Sequence, residues 1–176
     1  MKSEKKKFIR DYIIYSSIIV IGIVLDQLTK LLAVKYLMDG SVTFIPGVLD
    51  FTYVENRGMA WGLLADQRWI FMTASVIAIT ALSVFLYMRK SPNMLYAIAI
   101  SAIISGGIGN MIDRTALGYV VDFLEVTFMN FPVFNIADSF VSVGAVGLIV
   151  LLVIDIVREA RAERLKKAKK KDGEND

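Results

Sequence analysis

Four stretches of this chain carry no Asp, Glu, Lys or Arg: residues 12–25, 69–88, 91–112 and 139–154. Their lengths are 14, 20, 22 and 16 residues. A helix that crosses a bilayer needs roughly 20 apolar residues, so the second and third runs suffice alone. The first, at about 1.5 Å per residue, rises only about 21 Å against a hydrocarbon core of about 30 Å. Helix 1 therefore spans only by carrying Asp26, and with it Lys30, into the membrane. The fourth run must extend to Asp138 or Asp155. Hydrophobic residues make up 56% of the 176, above the apolar share of an ordinary soluble domain. The expected fold is an all-α membrane protein, a single integral domain over 1–176. Its four transmembrane helices are expected at about 12–34, 69–88, 92–113 and 137–157.

Basic residues predict the orientation. Fifteen of the 20 lie before helix 1, between helices 2 and 3, or beyond helix 4. By the positive-inside rule both termini are cytoplasmic, and the segments at about 35–68 and 114–137 are outside. The start of the chain has the basic and apolar parts of a signal peptide. The apolar run leads, however, into Asp26-Gln27-Leu28-Thr29-Lys30 and not into a small-residue cleavage site, so it reads as an uncleaved anchor. Within the basic cytoplasmic tail, 158–176, the run Arg161–Lys171 reads as a solvated helical extension beside anionic headgroups of membrane phospholipids. No nucleic-acid partner is expected, because the rest of the chain is membrane.

The outer segment at about 40–64 reads as a small extracytoplasmic β-rich cradle. Residues 42–45, a Pro46-Gly47 turn and residues 48–54 suggest two short strands. A second turn falls at Asn56-Arg57-Gly58. Residues 59–64, with Trp61, suggest a short interfacial helix.

The chain has no His and no Cys. That excludes a Ser-His-Asp triad, a Cys nucleophile, an HExxH zinc site, a Cys/His metal cluster and any disulfide. Neither a metal nor another cofactor is expected, and proton chemistry near neutral pH falls to carboxylates, Lys or water. The costly polar residues converge on one depth near the outer interface: Asp26, Lys30, Asn110, Asp113, Arg114, Asp122, Asn135 and Asp138. A charge at bilayer depth costs at least about 2.5–3.5 kcal/mol, so such groups are paired, wet or functional. Taken singly, each has a structural reading. Asp26 and Lys30 are i, i+4 and can pair; Asn110, Asp113 and Arg114 can form a helix-end cluster; Asn135 can cap a helix whose first turn holds Asp138. Glu125 is a rival partner for Asp122 if residues 122–125 are a helical turn, and points away if they are a strand. Asp11 and Asp155 read as boundary charges beside Arg10 and Arg158. Ser101, Ser105 and Gly109, at four-residue spacing, read as a close-packing face, with Gly144 and Gly147 serving likewise.

Five blocks carry a resemblance. They are Asp26-Gln27-Leu28-Thr29-Lys30, Asn56-Arg57-Gly58-Met59-Ala60-Trp61, Gly106 to Arg114 (with Gly109, Asn110 and Asp113), Val120-Val121-Asp122-Phe123, and Phe134-Asn135-Ile136-Ala137-Asp138-Ser139. In this order, on one side of four spans, the chain resembles the bacterial lipoprotein signal peptidases, or signal peptidase II. These are aspartic endopeptidases of the inner (cytoplasmic) membrane. The resemblance implies that Asp122 and Asp138 are the catalytic dyad, near the outer face. It also implies that Asp26, Lys30, Asn56, Gly58, Asn110, Asp113, Arg114 and Asn135 bind substrate or support the site. The implied partner is a prolipoprotein whose cysteine bears a diacylglyceryl group and which is cut just before that cysteine. Globomycin-type inhibitors are implied as ligands, and a monomer is the expected state.

Two other classes remain open on the residues alone. Intramembrane charges also suit a small transporter, although here they cluster at one depth and helix 2 has no charge. A structural four-helix scaffold is the third; it predicts that Asn at 122 and 138 has no effect.

Overall fold

The computed structural model describes residues 2–58, 68–88 and 93–172. In them the chain forms helices α1 (Lys2–Leu37), α2 (Arg68–Tyr87), α3 (Met94–Ala116) and α4 (Ile136–Asp172), and strands β1 (Val42–Ile45), β2 (Leu49–Asn56) and β3 (Val120–Val126). Three segments, Phe8–Leu37, Met94–Ala116 and Ile136–Lys167, are long and apolar enough to cross a membrane, and α2 carries the shorter apolar stretch Met72–Tyr87. As expected, α1 runs unbroken through Asp26 and Lys30, and α4 includes both Asp138 and Asp155. It then continues as an exposed helix well past residue 157.

Burial is reversed relative to a water-soluble bundle. Large apolar side chains face outward, among them Ile13, Val143 and Ile156, while Asp26, Lys30, Ser101, Ser105, Asn110, Asp113, Asp122 and Asn135 are buried. In a bilayer the outward apolar faces meet a solvent of their own kind, and the polar groups need partners inside. Helix α3 is the axis. Its Ala97, Ile100 and Ile104 pack with Tyr15 and Ile19 of α1 and Leu86 of α2. Asn93 caps it, its side-chain oxygen accepting from Leu95 N at 2.9 Å and Tyr96 N at 3.2 Å.

The small-residue face permits the close approach expected of it. A Cβ on Gly106 would strike the Ala137 carbonyl oxygen, one on Gly144 would sit 2.7 Å from Ala99 O, and one on Gly109 2.5 Å from Asp26 Oδ2. Gly147 departs from the expectation: its nearest neighbour would be Ala99 Cβ at 4.0 Å, an ordinary contact, so helix packing does not require glycine there.

The sheet is antiparallel in the order β1-β2-β3. Pro46 and Gly47 make the first turn. Val48 N donates to Ile45 O at 2.9 Å, and Gly47 has φ +70°, the left-handed third position of a type II turn that favours glycine. The third strand comes from the α3–α4 link and pairs Val54 with Asp122. Residues 122–125 are thus extended, which settles the strand-or-turn alternative. Ala33, Leu37, Val121 and Phe123 seat the sheet on the end of α1. The interfacial helix expected at 59–64, with Trp61, lies outside the described residues.

Gly106→Ala should therefore lower stability in detergent by about 1–3 kcal/mol, read as a lower thermal midpoint. Gly147→Ala should stay within about 0.5 kcal/mol of wild type.

Candidate active site

The site is built on a buried lysine. Lys30, 3% exposed, has three N–H donors and three acceptors: Asp26 Oδ2, Asp113 Oδ2 and Asn110 Oδ1, each at 2.9 Å. A buried ammonium is tolerable only when paired and hydrogen-bonded in this way. Its partners carry the network onward. Asp26 Oδ1 accepts from Ala137 N at 2.9 Å in the first turn of α4. Asp113 Oδ2 accepts from Val121 N at 3.1 Å, which fixes the start of β3. Gln27 closes the ring, donating to Asp113 Oδ1 at 2.9 Å, to Asp26 Oδ2 at 3.2 Å and to Gly109 O at 3.2 Å. Sequence reasoning missed Gln27; its only signal was its place beside Asp26.

Above this layer sit Asp122 and Asp138, joined through Asn135. Asn135 N-caps α4, accepting from Asp138 N at 2.9 Å, while Asp138 Oδ2 accepts from Asn135 N at 3.3 Å. This is a reciprocal capping box with Asp in the third position. The same Asn135 donates through Nδ2 to Asp122 Oδ1 at 2.6 Å. The remaining oxygens are also held: Asn56 Nδ2 donates to Asp122 Oδ2 at 2.8 Å, and Asn110 Nδ2 to Asp138 Oδ1 at 2.7 Å. Asn56 is held in turn by Gly58, whose N–H donates to Asn56 Oδ1 at 3.0 Å. The chain between the two acids is pinned where it returns: Phe134 N donates to Leu124 O at 3.0 Å, and Leu124 N to Phe134 O at 2.8 Å.

Asp122 is 1% exposed, whereas Asp138 is partly open. Burial pushes the Asp122 carboxyl up to about 7; the Asn56 hydrogen bond opposes this, the Asp138 charge adds to it, and the Asn135 bond and Lys30 charge oppose it. Arg114, half-buried, lies within electrostatic reach of Asp138, Asp122 and Asp113. Every expected site residue thus falls in one assembly. Glu125 does not: its Oε2 accepts from Thr52 Oγ1 at 2.6 Å, away from Asp122. Asp11 pairs with Arg10 at 2.9 Å, as a boundary charge should. Among the described residues, no group of three or more acidic side chains is arranged to hold a metal ion.

Lys30→Met should leave Asp26 and Asp113 buried without their cation and cost about 3–5 kcal/mol. The check is thermal unfolding in detergent, and a midpoint equal to wild type would contradict the keystone role.

The chain matches the family described as signal peptidase (SPase) II over residues 18–154. It is 41% identical over 127 residues to the lipoprotein signal peptidase of Streptococcus pyogenes serotype M2 (strain MGAS10270), covering 72% of this chain and 84% of that one. It is 40% identical over 134 residues to the lipoprotein signal peptidase of Latilactobacillus sakei subsp. sakei (strain 23K), covering 76% and 87%. Its fold superposes on a bacterial membrane enzyme determined by the in meso method at 2.3 Å resolution, with TM-score 0.75 and 34% identity over 81% of this chain and 88% of that one. A five-block pattern, a buried polar floor beneath two linked carboxyls, and likeness along most of the length agree: the chain belongs to the signal peptidase II family of lipoprotein signal peptidases.

Proposed function

We propose that Asp122 and Asp138 are the catalytic dyad with which this lipoprotein signal peptidase cuts a prolipoprotein just before its diacylglyceryl-modified cysteine. The observation that carries the reading is Asn135, whose one side chain binds Asp122 and caps the turn bearing Asp138. The Asp138 charge acts on Asp122 to raise its carboxyl, and two carboxyls that feel one another do not both ionise readily, so the pair shares a proton. The ionised member takes a proton from water, which attacks the scissile carbonyl. The protonated member hydrogen-bonds that carbonyl and then protonates the leaving amine. No metal enters these steps. Asp26, Lys30, Asn110, Asp113, Arg114 and Asn135 hold the pair in place, and Asn56 with Gly58 holds Asp122 from the sheet.

In this reading the chain is a single membrane domain of the bacterial cytoplasmic membrane with both termini inside, as its basic residues favour. The dyad lies near the outer face, and the sheet forms a cradle over the bond. The lipid-bearing cysteine of the substrate sits at that depth naturally, its acyl chains in hydrocarbon and its signal helix across the membrane. Globomycin-type inhibitors compete for this place, and the working unit is a monomer.

Asp122→Asn and Asp138→Asn should each abolish cleavage of a lipidated precursor peptide in detergent, with thermal midpoints near wild type. Normal processing by either variant would remove the dyad. The shared proton gives a second expectation. With Asp122 at about 7, the pair keeps its proton below about pH 7 and loses it above, so kcat/KM should fall about tenfold per pH unit on the alkaline side. A rate that stays level to about pH 9 would show that the proton is not needed.

A further inference from the structure

Between the end of α1 and the sheet lies a cavity of about 250 Å3. Its floor is made by the buried Ala33, Leu37 and Phe123, with Phe51 beside them. Its mouth is made by Leu32 and Tyr36, which are 54% and 64% exposed. Thr29 also lines it, but its hydroxyl donates to Leu25 O and Asp26 O within α1, each at 2.9 Å, and so its polarity is spent on the backbone. A cavity with such walls stays dry; one of about 150 Å3 lined by apolar side chains takes up benzene and not water. The dyad lies on the other side of β3, because Phe123 follows Asp122 and successive strand residues point to opposite faces. The recess is therefore separate from the candidate active site.

Two observations identify its occupant. The first is continuity. Leu32 and Tyr36 belong to the same outward apolar surface of α1 as Leu28 and Leu31, within the segment Phe8–Leu37 that is long and apolar enough to cross a membrane. Acyl chains cover that surface, and the cavity is a recess in it that a chain fills without leaving hydrocarbon. The second is charge. Lys35, in the last turn of α1, holds its ammonium over the Tyr36 ring, 5.0 Å from the centroid. Among the described residues no carboxylate forms an ion pair with it, Asp39 four residues on included. A cation thus stands at the rim of an apolar recess, at the end of a spanning helix, where lipid phosphates lie. From Thr29 to Leu37 the helix rises about 12 Å, a length that suits the upper part of one chain.

We propose that this recess binds one acyl chain of an anionic bilayer phospholipid, whose phosphate is held at Lys35. The chain fills the space between α1 and the sheet from the lipid side. Through Phe51 and Phe123 it seats β2 and β3 on α1, and it remains in place while substrate turns over on the opposite face of β3.

The test uses the full chain in dodecyl maltoside. Phosphatidylglycerol or phosphatidylcholine is added, each with a photoreactive diazirine on one acyl chain, and the labelled residues are mapped by mass spectrometry. Both lipids should label Phe51 or Phe123, and phosphatidylglycerol should do so at about three- to fivefold lower concentration, the factor that one Lys near the headgroups supplies. Lys35→Gln should abolish that difference and leave labelling by phosphatidylcholine unchanged. Leu32→Trp, at an exposed position, should close the mouth. Labelling of the sheet should then fall to near background, while Leu31 on the open surface is labelled as before. Unmodified phosphatidylglycerol should raise the thermal midpoint of wild type and not that of Leu32→Trp. Label confined to Leu31 and other outward residues, with none on Phe51 or Phe123, would overturn the proposal and leave only a lipid annulus. Equal labelling of wild type by the two lipids would overturn the assignment of the phosphate to Lys35. Loss of the phosphatidylglycerol label from Phe123 on adding excess lipidated precursor would also overturn it, by giving the recess to the substrate's own acyl chain.

Discussion

The three bonds of Lys30 join the elements on which the site depends. An ammonium brought out of water into a bundle has lost a large hydration energy, and only full coordination offsets it. Here one acceptor comes from α1 itself and two from α3. Asp26 then holds the first turn of α4, and Asp113 holds the first residues of β3. A single buried charge thereby sets the positions of two helices, a strand and the N-terminus of a third helix. Parting α1 from α3 would unpair buried charge, and moving α4 or β3 would take a backbone hydrogen bond from a buried carboxylate, so the arrangement is rigid for an energetic reason.

The two central carboxyls gain their placement from structural devices. Asp138, the third residue of α4, closes a capping box, and Asp122 is a strand residue paired with Val54. A cap and a strand are both backbone-determined positions, far more fixed than a loop side chain. Asn135 then adds a donor that bridges them.

The surrounding bundle makes such a floor possible. With lipid outside, helix association gains nothing from apolar burial as such, and close packing matters more. Gly106 lets α3 meet the start of α4 at backbone contact, and Gly109 leaves room for the Asp26 carboxyl. Larger residues there would push the helices apart by more than the hydrogen bonds of the floor can stretch.

Much was legible in the sequence, because charge is expensive in a bilayer and is therefore conspicuous. The runs without charge located the helices, the short first run required Asp26 and Lys30 to lie inside, and the i, i+4 spacing allowed them to pair. The lack of His and Cys left carboxyls for the chemistry, and the Pro46-Gly47 hairpin turn was visible in its residue types. What the tertiary structure alone decided was partnership across the chain. Spacing along one helix could not tell that Lys30 also binds Asp113 and Asn110, that Gln27 spans two carboxyls, or that Asn135 binds Asp122 while capping α4. Nor could it choose between strand and turn for 122–125, since a short segment takes its conformation from a neighbour such as β2. Periodicity reports the environment of each face; which group stands opposite is fixed only when the helices and the sheet close on one another.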